Sequence, residues 1–185
     1  MADTRVCAIA GSLRTGSYNK ALLRAAQELA PPGVRIAIWD GLRSIPPFDQ
    51  DEQVRGDPAP VVALKAAIAE ADVLLIATPE YNYGIPGVLK NAFDWASRPA
   101  GKSVLNGKPA AIVGATVGLW GTVRAQLALR QSFLFTESPV LLKPEVLVAR
   151  AQDKFDASLR LTDETTRAML RQLLVALPAF VARFR

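Results

Sequence analysis

The chain has 185 residues, of which 50% are hydrophobic and 21% charged, and its net charge is +5. This composition is unlike that of a disordered chain and favours a single globular domain over residues 1–185. The sequence contains no histidine, which excludes Ser-His-Asp and Cys-His catalysis and histidine-ligated zinc sites. Its basic residues are scattered, so a solvated basic surface is favoured over a nucleic-acid interface.

The N-terminal segment MADTRV leads directly into an apolar run, without a basic region followed by a hydrophobic one. No apolar run approaches the roughly 18–20 residues that a membrane helix requires. The single cysteine, Cys7, lies inside the first apolar run and is interpreted as a buried residue that cannot form an intrachain disulfide. We therefore predict a cytoplasmic protein that does not enter a membrane.

Strand-like and helical patterns alternate along the chain. Strands are predicted at RVCAIA (5–10), VRIAIW (34–39), DVLLIAT (72–78), PAAIVGAT (109–116) and VLLKPEVLV (140–148). Helices are predicted at 19–30, from Pro58 onward after an Asp57 N-cap, and at 88–96, 123–135 and 163–183, with a long loop over 40–56. Pro178 is expected to kink or shorten the last helix.

Five strands alternating with five helices predict an α/β fold, a three-layer sandwich around a five-stranded parallel sheet. With only five candidate strands, the order 2-1-3-4-5 is favoured over a six-stranded dinucleotide-binding sheet. In such a sheet, ligands bind at the carboxyl ends of the strands, where the strand order reverses. The site is therefore expected in the loops that follow strands 1, 3 and 4.

The first of these loops lies in AGSLRTGSYNKAL (10–22). It has the glycine spacing of a Walker A motif, but Ser17 follows where that motif requires lysine, and G-x-G-x-x-G is absent. Ser12, Ser17 and Asn19 are short donors that can face a terminal monophosphate, and Arg14 can bind two of its oxygens. The N-terminus of the following helix adds free N–H groups. In the alternative reading, Ser17 only caps the helix and Arg14 is solvated.

The other two loops favour a flat ring as the rest of the ligand. In TPEYNYGIPGVLKNAFDW (78–95), two tyrosines flank an asparagine and are followed by glycine and proline. This pattern predicts a rigid backbone with N–H groups and planar side chains, suited to the edge of a heteroaromatic ring. The small residues of GATVGLWG (114–121) would let a ring or a phosphate approach the backbone.

These segments together resemble the NADPH-dependent FMN reductase family, and within it the branch of quinone and chromate reductases. The resemblance rests on SLRTGSYN, PEYNYGIPGVLKNAFDWASR and the loop after strand 4, and extends from strand 1 to Lys143–Glu145. It implies a flavodoxin-like fold, non-covalent FMN, NADPH or NADH as co-substrate, and a homodimer or homotetramer. The cofactor-binding residues that it implies are Ser12, Arg14, Ser17, Tyr18, Asn19, Pro79, Glu80, Tyr81, Asn82, Tyr83, Gly84, Thr116 and Gly118.

The resemblance also implies a ping-pong reaction that needs no catalytic side chain. Hydride would pass from NADPH to FMN, and electrons would then pass to a quinone, flavin, azo dye or chromate. The chain departs from the family pattern at Ala115-Thr116 and Gly121-Thr122, where a flavin-edge hydroxyl is expected to be missing. Leu127 replaces an aromatic residue of some relatives, although Arg124 and Glu145 of their interface network are present.

Several roles stay open at this point. Trp120 could wall the substrate side of the flavin or pack in an interface. Arg98 and Lys102 are candidates for the NADPH 2′-phosphate, although plain exposed charges are favoured. Glu80 is interpreted as a carboxylate that orients its loop rather than as a general acid. The loop over 45–51 could reach the active site of a partner subunit.

Two other functions compete with a reductase. The first is a flavodoxin-type electron carrier without NAD(P)H-oxidising activity of its own. Such carriers tend to be acidic and lack a PEYNYG-type loop, whereas this chain is basic and contains one. The second is a non-catalytic module that binds a different nucleoside monophosphate, and a visible spectrum would distinguish it from a flavoprotein.

Overall fold

A computed structural model describes residues 3–184 of the chain. The strands are β1 (Thr4–Ala10), β2 (Val34–Trp39), β3 (Val73–Ala77), β4 (Ala110–Ala115) and β5 (Val146–Val148). They form one parallel sheet in the order β2-β1-β3-β4-β5, which confirms the predicted topology. The α-helices are α1 (Tyr18–Leu29), α2 (Gln50–Arg55), α3 (Ala59–Glu70), α4 (Gly87–Ala96), α5 (Val123–Leu134) and α6 (Glu164–Val181). Short 3-10 turns lie at Leu42–Ser44, Ala151–Asp153 and Ala182–Phe184.

The sheet is buried on both faces because alternate residues of each strand point to opposite helical layers. On one face, Val6 and Ala8 of β1 pack with the apolar sides of α1 and α6. On the other face, Cys7 and Ile9 pack with α3 and α4. All five residues of β3, at the centre of the sheet, are buried. Within residues 3–184, no helix combines the length and the hydrophobicity needed to cross a bilayer.

The segment 40–56 is more ordered than predicted. It contains the first 3-10 turn and α2, whose N-cap Asp49 accepts a hydrogen bond from Asp51 N at 2.8 Å. No residue of α2 is buried, so the sequence has no apolar periodicity there to reveal a helix.

Two other predictions are corrected by the structure. Helix α3 begins at Ala59 with Pro58 as its N-cap, while Asp57 forms an ion pair with Lys65 at 2.5 Å. The predicted fifth strand, 140–148, is interrupted: Val140 forms a single bridge with Ala110 of β4, and the continuous strand covers only Val146–Val148. Pro144 lies between the two parts and has no N–H to offer a sheet ladder. Pro178 lies inside α6, which ends at Val181, two residues before the predicted end.

Candidate functional site

An open cleft of about 260 Å³ lies at the carboxyl ends of β1, β3 and β4, where the strand order reverses. Its lining residues come from three loops: Ser12, Arg14, Ser17, Tyr18, Asn19, Pro79, Glu80, Tyr81, Ala115, Thr116 and Val117. The predicted site residues Asn82, Tyr83, Gly84 and Gly118 lie outside this lining. Ala115 and Val117 were missed because neither carries a polar side chain, and only their position beside Thr116 at a strand end could have indicated them.

The loop between β1 and α1 presents hydrogen-bond donors to the cleft. Ser17 is the N-cap of α1, and its Oγ accepts a hydrogen bond from Lys20 N at 3.3 Å. Ser12 Oγ accepts from Arg14 N at 3.4 Å. Since both hydroxyls accept in these contacts, each keeps its hydrogen for a ligand. The backbone N–H groups of Tyr18 and Asn19 in the first helical turn have no intrahelical partner. The loop therefore suits an anion even though Ser17 does cap the helix.

Arg14 lies at the side of this loop. Its side chain is exposed, but Nη2 donates to the Gly16 carbonyl and the guanidinium carbon lies 5.6 Å from the centre of the Tyr18 ring. The Tyr18 ring is itself supported by Phe155, at a centroid distance of 5.2 Å. A guanidinium has five N–H groups, so Arg14 is held beside the cleft with donors to spare.

Asn19 connects two rims of the cleft. Its Nδ2 donates to the Ala115 carbonyl, and Ala115 N donates to its Oδ1, both at 2.9 Å. The Asn19 side chain is buried and joins the start of α1 to the last residue of β4. One amide hydrogen remains for a ligand. The main role visible in the structure is therefore to fix the spacing between the first and third loops.

The segment Tyr81–Gly84 is a two-residue β-hairpin. Tyr81 N donates to Gly84 O at 3.2 Å, and Gly84 N donates to Tyr81 O at 3.0 Å. Asn82 and Tyr83 have φ values of 49° and 65°, and a type I′ turn requires positive φ at both central residues. The hairpin tip projects from the cleft, and Tyr83 is 70% exposed. In the sequence, Asn82 is the residue that indicates such a turn, since asparagine tolerates a left-handed backbone.

Glu80 caps α5 from a different loop. Its Oε2 accepts hydrogen bonds from the backbone N of Arg124 at 3.0 Å and of Ala125 at 3.3 Å. Its Oε1 accepts from Arg124 Nη1 at 3.0 Å. The residue before the helix, Thr122, has a φ of 67° and makes no capping bond with its side chain. The Glu80 carboxylate, only 11% exposed, thus replaces the missing cap and orients its loop.

Arg124 extends back toward the hairpin tip. The carbon of its guanidinium lies 4.0 Å from the centre of the Tyr83 ring and 5.3 Å from that of Trp120. Trp120 is 63% exposed. Both rings thus lie close to the Arg124 guanidinium, which is bound to Glu80 of the cleft lining.

The third loop is fixed by contacts with the end of β5. Thr116 N donates to Val148 O at 2.9 Å, and Thr116 Oγ1 accepts from Gly118 N at 3.2 Å. A Cβ at Gly118 would meet only Thr116 Oγ1, at 3.7 Å, so packing does not require glycine there. At Gly121, by contrast, φ is +56° and a Cβ would lie 2.7 Å from the Leu147 carbonyl carbon.

Several candidates do not reach the cleft. Arg98 follows the far end of α4, about 15 Å along that helix from its start at the cleft. Its guanidinium lies 5.6 Å from the rings of both Phe48 and Phe135. Lys102, which follows Arg98 closely in the sequence, is exposed to solvent and does not line the cleft. Glu145 pairs with Lys143 at 2.9 Å within the chain, and its place in an interface between subunits stays a prediction.

The loop over 45–51 docks on α4 of its own chain. Phe48 N donates to Asn91 Oδ1 at 2.8 Å, and Trp95 Nε1 donates to the Pro46 carbonyl at 2.9 Å. The Phe48 ring meets the Trp95 ring edge to face at 5.0 Å. These contacts account for the order of the loop within one chain.

Two other kinds of chemistry find no support. Cys7 is buried as predicted, and burial raises the pKa of its thiol to about 11, so it is not a nucleophile at neutral pH. Among residues 3–184, no cluster of acidic side chains and cysteine could hold a metal ion. The polar groups that line the cleft come from the three loops.

Comparison with known proteins identifies the family to which this fold and cleft belong. The family model described as NADPH-dependent FMN reductase matches residues 4–153. The chain is 49% identical to an NAD(P)H-dependent FMN reductase of Pseudomonas aeruginosa, over 99% of this chain and 98% of that protein. It is 40% identical to a 2-hydroxy-1,4-benzoquinone reductase of a Burkholderia species, over 96% of both chains.

A solved structure shares the fold. FerB of Paracoccus denitrificans, a flavoenzyme NAD(P)H:(acceptor) oxidoreductase, superposes with a TM-score of 0.88 at 31% identity, over 98% of each chain. The expected flavodoxin-like architecture is therefore confirmed. With a parallel sheet in this order, a cleft at its switch point and a family match over most of its length, the chain belongs to the NADPH-dependent FMN reductase family.

Proposed function

We propose that this chain binds FMN non-covalently in the cleft and uses NADPH or NADH to reduce a small acceptor of the quinone type. The observation that carries the proposal is the convergence of three loops on one cleft, with a helix N-terminus, two buried hydroxyls and an arginine at one end. Family membership supplies the cofactor class, and the quinone reductases among its relatives supply the acceptor class.

The donors at the start of α1 fit the FMN phosphate. Ser12 and Ser17 offer hydroxyl hydrogens, Tyr18 and Asn19 offer backbone N–H groups, and Arg14 offers charge-assisted donors. The helix dipole favours an anion at the same point. These groups are already held in place by their own contacts, so little ordering is needed when the phosphate binds.

The second and third loops fit the ring system. Pro79, Tyr81 and Val117 provide apolar contact area on the cleft lining. The hairpin leaves the N–H groups of Asn82 and Tyr83 without a backbone acceptor inside the turn, so they are available to the polar edge of a flavin. Gly118 leaves its backbone open to close approach.

Bound FMN supplies the redox chemistry, which is hydride acceptance from a nicotinamide and electron delivery to the acceptor. The residues of this chain bind and orient the reactants, and no side chain is needed as a general acid or base. Glu80 accepts three hydrogen bonds from α5, which supports its assignment as an orienting group rather than a proton donor. The absence of histidine from the sequence is consistent with a reaction that needs no general acid or base from the protein.

We also propose a homodimer or homotetramer acting in the cytoplasm, where NAD(P)H is available. Exposed apolar side chains on α5 and its flanks support self-association, since patches of this kind are rare on monomers. They include Leu127, Leu134, Phe135 and Leu142. Light scattering after gel filtration tests the assembly, and a monomeric species at micromolar concentration would contradict it.

The test of the function begins with the visible spectrum of the purified, FMN-reconstituted protein. We expect flavin absorption that survives gel filtration and bleaches on anaerobic titration with NADPH, followed by reoxidation with 1,4-benzoquinone. Bound flavin that NADPH does not bleach would indicate an electron carrier instead. A protein that stays colourless in excess FMN would refute the proposal.

A further inference from the structure

We propose that Glu80 and Arg124 are positioning residues that join the 81–84 hairpin to α5 and thereby fix where the Tyr83 ring faces the acceptor. This inference rests on the proposed function, because the acceptor is a reactant of that reaction. It assigns neither residue a contact with FMN. Two contacts support it: Glu80, before the hairpin, binds the start of α5, and Arg124 of α5 contacts the Tyr83 ring in the hairpin.

The first contact runs from the loop to the helix. Glu80 immediately precedes the hairpin, and its carboxylate takes both backbone N–H groups and one guanidinium N–H at the start of α5. Val123 N donates to the Trp120 carbonyl at 3.1 Å. Because Thr122 has a left-handed backbone and gives no side-chain cap, the next two N–H groups, of Arg124 and Ala125, are bound by the Glu80 carboxylate instead. The base of the hairpin is therefore tied to a rigid element.

The second contact runs from the helix back to the hairpin tip. The Arg124 guanidinium, oriented by Glu80, lies 4.0 Å from the centre of the Tyr83 ring. A φ of 65° is unfavourable for a residue as large as tyrosine. Such a backbone persists when surrounding contacts hold it in place. The two backbone hydrogen bonds between Tyr81 and Gly84 hold the ends of the turn, and Arg124 lies against the Tyr83 ring at its tip.

The contacts of Glu80 and Arg124 fix the position of two exposed aromatic rings against which a flat acceptor can pack. The Tyr83 and Trp120 rings flank Arg124 and are 70% and 63% exposed. Aromatic rings at the mouth of a cleft provide apolar area with a defined geometry for planar molecules. Since Glu80 balances the charge of Arg124, the arginine serves to orient the rings rather than to attract an anion.

The test uses the FMN-loaded enzyme with three variants: Arg124→Lys, Tyr83→Leu and the two combined. Lysine keeps the positive charge opposite Glu80 but has no flat face for the Tyr83 ring. The matched control is Arg130→Lys on the same helix, whose guanidinium is 3.5 Å from the Leu141 carbonyl. The measurements are KM and kcat for 1,4-benzoquinone, KM for NADPH, and the dissociation constant of FMN.

We expect each single variant to raise the KM for benzoquinone about three- to tenfold. In Arg124→Lys, kcat and FMN affinity should stay within about twofold of the wild type, because Arg124 does not line the cleft. The combined variant should be no worse than Tyr83→Leu, because both substitutions remove the same contact. The Arg130→Lys control should behave as the wild type does. A merely structural role of Arg124 would not separate KM from kcat in this way.

An unchanged KM in Arg124→Lys, additive effects in the combined variant, or a loss of FMN affinity that parallels the rise in KM would overturn the inference. If Arg124→Lys does not fold, Tyr83→Leu decides alone, since it alters a mostly exposed side chain and an unchanged KM there refutes the role of the ring. Failure of the wild-type protein to bind FMN or oxidise NADPH is a separate result, which would refute the proposed function itself.

Discussion

The bond between Asn19 and Ala115 gives the sharpest test of how the cleft is held together. Replacing Asn19 by alanine removes two hydrogen bonds of 2.9 Å and leaves the N–H and C=O groups of Ala115 unpaired in the interior. Both residues are buried, at 3% and 2% exposure. A buried backbone group without a partner costs about 1–3 kcal/mol. The higher helix propensity of alanine returns up to about 0.7 kcal/mol.

With two such groups and the helix-propensity term subtracted, the expected net loss from the free energy of unfolding is about 1–5 kcal/mol. This is a large share of the roughly 5–15 kcal/mol typical of a domain. The assay is urea denaturation of the apoprotein, followed by circular dichroism, together with FMN titration of the folded variant. FMN affinity should also fall, because the first and third loops are no longer held at a fixed separation.

The control for this measurement is Asn106→Ala. Asn106 is exposed, and its Oδ1 accepts a single hydrogen bond from Ser103 Oγ at 2.7 Å. Its replacement should cost less than about 1 kcal/mol. If Asn19→Ala costs no more than this control and binds FMN as tightly as the wild type, the bridge does not hold the cleft together.

Four further outcomes are expected. Arg14→Ala should weaken FMN binding by about 1.5–3 kcal/mol, the usual range for a hydrogen bond to a charged group; a variant that stays as yellow as the wild type after gel filtration would contradict this. Gly121→Ala should destabilise the apoprotein in urea by at least about 1–2 kcal/mol, because the left-handed backbone there disfavours a side chain. Cys7, with its thiol pKa raised to about 11, should resist iodoacetamide at pH 8 in the native protein and react once urea unfolds it. Hydrogen bonds from Thr166 hold the pKa of the Asp163 carboxyl below its ordinary value. The stability that this carboxylate contributes is present at neutral pH and is lost as the pH falls below about 4, so Asp163→Asn should flatten the acid side of a stability–pH curve.

Controls are available for the last three. Gly87→Ala should leave stability unchanged or raise it, since nothing lies within 4 Å of a Cβ there and the residue begins a helix. Fast alkylation of native Cys7 would show that the β1 face is more open than the structure indicates. For Asp163, asparagine also caps helices well, so a large loss of stability at pH 7 would point to a role beyond titration.

The sequence alone was sufficient for the order of the elements, the strand order and the edge of the sheet at which the loops meet. The five apolar runs are local signals, and the crossovers between parallel strands have one favoured hand. Once the order 2-1-3-4-5 is accepted, the loops after β1, β3 and β4 must converge. Ser12, Arg14 and Ser17 were predicted in this way, Thr116 was implied by the family resemblance, and the structure places all four in one cleft.

Where local signals were weak, the sequence was misleading. Helix α2 buries no residue and went unnoticed. The predicted fifth strand was too long, because an apolar run does not show which of its residues find a partner strand. Arg98 is near the flavin-loop segment in sequence, yet the direction of α4 carries it to the other end of that helix.

Only the tertiary structure decided which side chains hold the site together. Asn19 meets Ala115 across 96 residues of sequence, and Glu80 caps a helix that begins more than forty residues later, at Val123. The positive φ values of Asn82 and Tyr83 are likewise kept by the contacts around the hairpin. Periodicity and composition report what each segment buries, whereas a hydrogen bond between distant loops depends on the packed sheet that brings their ends within 3 Å of each other.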